Sequence, residues 1–125
     1  MTQGIDRPIY HCSLVRDWQV AQVVGEYTIS SRGRTLADEG FVHASFAEQV
    51  PGVLQRFYAD LAEPLCLLRI DPELLTVPVV VENLMGGEEL FPHIYGPIPV
   101  AAVTGVEALI RADDGWSWPG SGSAP

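Results

Sequence analysis

At 125 residues and 47% hydrophobic, the chain has the size and apolar content of one domain and is too short for two ordinary ones. Its formal charge of −9, with seven arginines and no lysine, excludes the basic footprint that displaces counterions from phosphates, so nucleic acid is not an expected partner. Nor does any apolar run approach the ~20 residues needed to span a bilayer. Met1 to Pro8 carries no signal-peptide pattern, and two distant cysteines do not make a disulfide framework. A cytoplasmic protein without membrane partners is the expectation.

Taken in chain order, the first predicted element is a strand over Ile9 to Ser13, in which His11 faces with Ile9 and Ser13 while Tyr10 and Cys12 face the other way. Leu14, Trp18, Ala21 and Val24 fall at helical spacing, predicting a helix from about Val15 to Val24 with Ser13 as N-cap and Gly25 as its stop. Glu26 to Gly40, rich in Ser, Arg and Gly, reads as a long functional loop. Phe41 to Ser45 is the next strand, with His43 facing alongside Phe41 and Ser45.

Val50, Val53, Leu54, Phe57, Tyr58 and Leu61 mark an amphipathic helix beginning near Val50, with Pro51 in its first turn and a turn over Ser45 to Gln49 before it. Leu65 to Ile70 reads as a buried strand, Asp71 to Leu75 as a turn, and Val77 to Glu82 as another strand followed by a glycine loop. Phe91 to Pro97 is bounded by prolines and reads as a stiff loop carrying His93 and Tyr95, and a last strand over Val100 to Ile110 is expected to bulge at Gly105. The domain should end near residue 112, leaving 113–125 as a flexible tail, in which Trp116 and Trp118 could dock on the body or belong to a frayed strand. Two main helices among more numerous strands predict an α+β fold with mostly antiparallel sheets.

The three histidines, His11, His43 and His93, are the candidate catalytic groups, since imidazole exchanges protons near neutral pH. Tyr95 and Glu82, a carboxylate closing an apolar strand, are candidates beside them. Arg32 and Arg34, in the long polar segment, are the candidate phosphate contacts. No histidine pair has metal-ligand spacing, so no metal is expected. Cys12 and Cys66 read as small buried hydrophobes, with a nucleophilic Cys12 as the minority alternative.

The blocks Ile9-Tyr-His11, Gly25-Glu-Tyr27, Glu39-Gly-Phe-Val-His-Ala-Ser45 and Phe91-Pro-His-Ile-Tyr-Gly-Pro97 resemble the bacterial family known as domain of unknown function 952 (DUF952). The resemblance runs from about Ile9 to Ile110 and implies a compact domain of the ADP-ribosyltransferase-like superfamily. A fainter similarity joins Ile-Tyr-His-Cys-Ser and Gly-Phe-Val-His-Ala-Ser to two blocks of RNA 2′-phosphotransferases, which use NAD; Cys12 stands where those enzymes have glycine. By that likeness His11 orients a ribose, His43 binds the base or a phosphate, and His93 with Glu82 supplies proton transfer. The first expectation is therefore a small-molecule enzyme acting on NAD, as its possible cofactor, or on an ADP-ribose-like nucleotide. Its rivals are a cyclase, isomerase or hydrolase using histidine acid–base catalysis without NAD, and a non-catalytic binding module. An exposed aromatic patch of Tyr27, Phe91 and Trp116 would favour the module.

Overall fold

The computed structural model describes residues 5–84 and 86–119. Its centre is a three-stranded sheet in the order β1 (Ile9–Leu14), β6 (Leu65–Ile70), β10 (Val103–Ala108). The run of β6, apolar except for Arg69, suits its central place, since a strand with neighbours on both edges and packing on both faces leaves little room for polar residues. Arg69 lies next to its end and bonds Thr104. Every strand pairing among the described residues is antiparallel, and with few helices the molecule is α+β.

The β1–β6 register pairs His11 with Leu68, Cys12 with Leu67 and Ser13 with Cys66. Residues two apart share a face, so this sheet presents two. One carries Ile9, His11, Ser13, Cys66, Leu68 and Ile70 and packs on Trp18 and Ala21 of α1 (Val15–Val24), on Tyr27 and on Val42. The other carries Tyr10, Leu14, Leu65 and Leu67 and packs on Val50 and Leu54 of α3 (Val50–Phe57). Cys12 and Cys66 therefore face opposite ways and stay free.

A second three-stranded sheet, in the order β5 (Val42–His43), β8 (Phe91–Ile94), β7 (Val79–Glu82), joins the first through a Tyr10–Ser45 bridge with both N···O distances 2.8 Å. Val42 and Ile94 turn inward and are fully buried, leaving His43, Val80 and His93 on the opposite face.

Several expectations need correction. The segment 26–40 is structured: β2 (Glu26–Tyr27) pairs with β9 (Ile98–Pro99), and β3 (Ile29–Ser31) with β4 (Arg34–Thr35) around Gly33 at φ 74°. A short helix, α2 (Leu36–Glu39), follows, closed by a reciprocal Thr35–Asp38 capping box and ended by Gly40 at φ 86°. Helix α1 has the expected bounds and left-handed Gly25 stop, but its N-cap is Leu14, because the Ser13 hydroxyl is drawn into the core. Helix α3 starts at Val50 as expected, after a 3-10 turn over Ala47–Gln49. Phe91–Ile94 is the middle strand of its sheet rather than a stiff loop. Gly96 has no left-handed backbone; its requirement is space, since a Cβ there would lie 2.4 Å from Val77 Cγ1. The bulge at Gly105 is present.

Residues assigned by sequence to the tail are packed. Hairpin β11 (Ile110–Ala112)–β12 (Gly115–Ser117) brings Trp116 and Trp118 against the second face of the central sheet, where Trp118 lies 5.0 Å from the Tyr10 ring. Residues 120–125 lie outside the described residues. No helix among the described residues is long and apolar enough to cross a membrane.

Candidate active site

Two of the expected histidines, His43 and His93, each meet a carboxylate, forming two units on the outward face of the β5-β8-β7 sheet, and the third, His11, lies beneath them. His43 and His93 are direct cross-strand partners, which sets their rings 5.4 Å apart, edge to face. Phe41 closes the triangle, stacked on His93 at 4.3 Å and edge-on to His43 at 4.7 Å. The local reason is alternation: Phe41 and His43 lie two apart, as do His93 and Tyr95, so all four rings share the face that Val42 and Ile94 vacate by turning inward.

In the first unit, His43 Nε2 donates to Glu39 Oε1 at 2.7 Å. Arg34 Nε holds the other oxygen of Glu39 at 2.8 Å, and the Ser30 hydroxyl lies 3.1 Å from Oε1. Burial works against an ionised Glu39, yet the bonds from His43 and Ser30 and the charge of Arg34 bring its pKa below the ordinary carboxylate range. The carboxylate thus fixes the imidazole's orientation, and its Nδ1 has no hydrogen-bond partner among the described residues. The His43 side chain is 37% exposed.

In the second unit, His93 Nδ1 donates to Glu82 Oε2 at 2.9 Å, and the Tyr95 hydroxyl donates to the same oxygen. These two donors lower the Glu82 pKa, Tyr95 first, and the same carboxylate raises that of Tyr95. Burial lowers the pKa of His93 despite the Glu82 bond, with a smaller contribution from the neighbouring His43. His93 is buried under Phe41, whereas Glu82 and Tyr95 are partly open.

His11 occupies a different place. Only 3% exposed, it donates from Nδ1 to the His43 carbonyl at 2.5 Å. A carbonyl can only accept, so the proton belongs on Nδ1. The Tyr27 hydroxyl is shared between His11 Nε2 (3.0 Å) and Ser13 Oγ (2.9 Å), and the Ser13 hydroxyl donates to the Leu14 carbonyl (2.8 Å). Burial drops the His11 pKa to about 4, leaving the ring neutral at pH 7. Both its nitrogens are occupied by the protein.

A cleft of about 650 Å³ opens beside His43. His11 and Cys12 contribute to its lining, and its wider walls are Tyr10, Val53, Phe57 and Tyr58. Burial pushes the Cys12 thiol up to about 12, so it carries no thiolate near neutral pH. Of the two arginines singled out in the sequence, Arg32 borders the cleft, paired with Asp60 at 2.8 Å, while Arg34 is taken up by Glu39. Arg56 also borders it, 3.8 Å from Glu89. His93, Glu82 and Tyr95 are not part of the cleft wall; they reach it through Phe41 and His43. The described residues contain no group of three or more His, Cys, Asp or Glu placed to hold a metal ion.

Glu39 is the group that sequence reasoning missed. It lay in view within Glu-Gly-Phe-Val-His, but its four-residue separation from His43 suggests a pair only on a helix, and here the chain turns at Gly40. The patch expected of a binding module is absent, because Tyr27 is 1% exposed and Trp116 is packed against α3 and bonded to the Leu61 carbonyl.

The same architecture occurs in a solved relative. Protein CC0527 from Caulobacter crescentus, in its crystal structure, is 31% identical over 86% of this chain and 90% of its own, with a TM-score of 0.73. Its solution structure gives 29% identity over 87% and 90%, with a TM-score of 0.70. A family model described as a protein of unknown function, DUF952, matches residues 12–106. The chain belongs to the DUF952 family. No curated protein matches this DUF952 chain.

Proposed function

We propose that this DUF952 protein is a small-molecule enzyme working by histidine acid–base catalysis. His43 would exchange a proton with the substrate, and the reaction would be an isomerisation, cyclisation or hydrolysis that does not require NAD. The observation that carries this reading is the half-exposed His43 at the cleft wall, held through Nε2 by Glu39 with Nδ1 unpartnered. A carboxylate that pins one nitrogen fixes the tautomer and ring plane and supports the imidazolium that forms when the other nitrogen takes a proton. His93, backed by Glu82 and Tyr95, packs edge to face on His43 and serves as a positioning residue for that ring. His11 supports the site from below through the His43 carbonyl.

Proton abstraction can be read without knowing the product. A panel of uncharged enolisable ketones, esters and lactones is incubated in D2O and followed by NMR for deuterium incorporation or turnover. A member of the panel should react faster with protein than without, and His43→Gln should lose about 100-fold or more of that rate. Equal behaviour of the wild type and His43→Gln on every compound would end this reading.

A second reading keeps NAD or an ADP-ribose-like nucleotide as substrate within an ADP-ribosyltransferase-like fold, with cleavage or transfer at the glycosidic bond. Arg32 and Arg56 at the cleft favour it. It requires Arg32 to leave Asp60 for a phosphate, and His11 to give up a protein bond for a ribose hydroxyl. Under this reading millimolar NAD raises the melting temperature by mass action and nicotinamide is released. Neither effect is expected under the first.

A further inference from the structure

We propose that the cleft takes an uncharged, planar aromatic molecule, its ring body between Tyr10, Val53, Phe57 and Tyr58 and a hydroxyl or N–H group directed at His43. This assignment of a substrate class rests on the reading of His43 as the proton-exchanging group. Three observations carry it.

The first is the balance of charge. Among the lining residues, the guanidinium groups of Arg32 and Arg56 face three carboxylates, Glu39, Glu88 and Glu89. Arg32 already bonds Asp60 at 2.8 Å and the Phe57 carbonyl at 3.0 Å, and Arg56 lies 3.8 Å from Glu89. An anionic ligand would have to break an existing pair and face the remaining carboxylates, on a molecule of formal charge −9. Both terms oppose a phosphate or sulfonate and leave a neutral molecule untouched.

The second is the wall. Tyr10 and Tyr58 are buried to within 8% and 6% exposure while still facing the cleft, and Phe57 is 47% exposed at its mouth. A cleft lined by several aromatic rings favours another ring, packed offset or edge-on against them, over a flexible chain. A cleft of about 650 Å³ lies within the range of small-molecule sites. The third is the directional group. Of the charged groups lining the cleft, Arg32 is paired with Asp60, Arg56 lies beside Glu89, and Glu39 is held by His43 and Arg34. His43 Nδ1, by contrast, has no hydrogen-bond partner among the described residues, so a ligand hydroxyl or N–H gains most by being set there.

A matched pair of probes separates charge from shape. 2-Naphthol, uncharged at neutral pH, and naphthalene-2-sulfonate present the same ring system. Each is titrated into the 15N-labelled chain, with ADP-ribose as a third arm. 2-Naphthol should shift the backbone amides of Tyr10, Cys12, Val53 and Tyr58, and the sulfonate should bind about tenfold or more weakly at low ionic strength. Phe57→Asp, at an exposed position, should weaken 2-naphthol about fivefold or more with an unchanged melting temperature, and Phe57→Leu should restore it. Sulfonate or ADP-ribose binding as tightly as 2-naphthol would overturn the proposal. So would 2-naphthol shifts elsewhere on the molecule, or none at about millimolar concentration. Failure of the His43 role is read separately: 2-naphthol seated in the cleft with no His43-dependent reaction keeps the ligand class and removes the chemistry.

Discussion

His11 shows how a polar side chain becomes part of a core. Removing an imidazole from water is costly unless its nitrogens are bonded, and here one meets the His43 carbonyl and the other the Tyr27 hydroxyl. The environment accepts only the neutral ring, so the folded-state pKa falls from 6.5 to about 4. A histidine that is harder to protonate when folded favours the native state above its unfolded pKa. That contribution is lost as pH drops from 6.5 toward 4, because the unfolded chain binds the proton and the native one does not. The shift corresponds to about 3 kcal/mol. Urea midpoints measured across this window should fall steeply for the wild type. His11→Gln, less stable at pH 7, should show a flatter dependence between pH 6.5 and 4; an unaltered slope would assign the effect to other groups.

At the scale of elements, β8 is where fold and site meet, since one strand sends Ile94 into the core and His93 with Tyr95 to the outer face. Ile94→Asp would bury a charge at a fully enclosed position and should leave the chain unfolded by circular dichroism. His93→Gln should instead retain the native spectrum and slow the His43-dependent reaction about tenfold by loosening the ring it packs against. Just past the strand, Gly96 lies so close to Val77 that an added methyl has nowhere to go. Gly96→Ala should cost about 1–3 kcal/mol by overpacking. Adding Val77→Ala should recover part of that loss, a coupling a double-mutant cycle detects. Independent, additive losses would mean that the close approach is not the reason for glycine.

For the molecule as a whole, the central sheet has to be covered on both faces, and the C-terminal hairpin completes the second cover. Trp116 donates to the Leu61 carbonyl at 3.1 Å, and Trp118 donates to Glu107 at 2.7 Å beside the Tyr10 ring. A chain ending at Ala112 loses both indoles and uncovers part of the apolar cluster against which they pack, Tyr10 included. It should be about 3–5 kcal/mol less stable in urea titrations, the range expected for deleting large aromatic side chains from a core. A truncated chain as stable as the full one would make residues beyond 112 a true tail. Because Tyr10 also forms a wall of the cleft, Trp118→Ala should disturb 2-naphthol binding before it unfolds the domain.

Much of this molecule was settled by local pattern. Helical spacing and Gly25 bounded α1, the run of Leu65 to Ile70 marked the central strand, and alternation around His11 and His43 gave the correct faces, because side-chain direction in a strand follows from parity alone. The prolines flanking His93 read as a stiff loop and hid its strand. The α+β class and the DUF952 blocks were likewise legible in the residues themselves. Partnership was not. That Glu39 meets His43 across a glycine turn, that Arg34 is spent on Glu39 rather than left for a phosphate, that His11 has no nitrogen to offer, and which cluster Trp116 and Trp118 pack against are facts about neighbours distant in sequence or joined by tight turns. Periodicity reports which way a side chain points; only the packed chain decides what it points at.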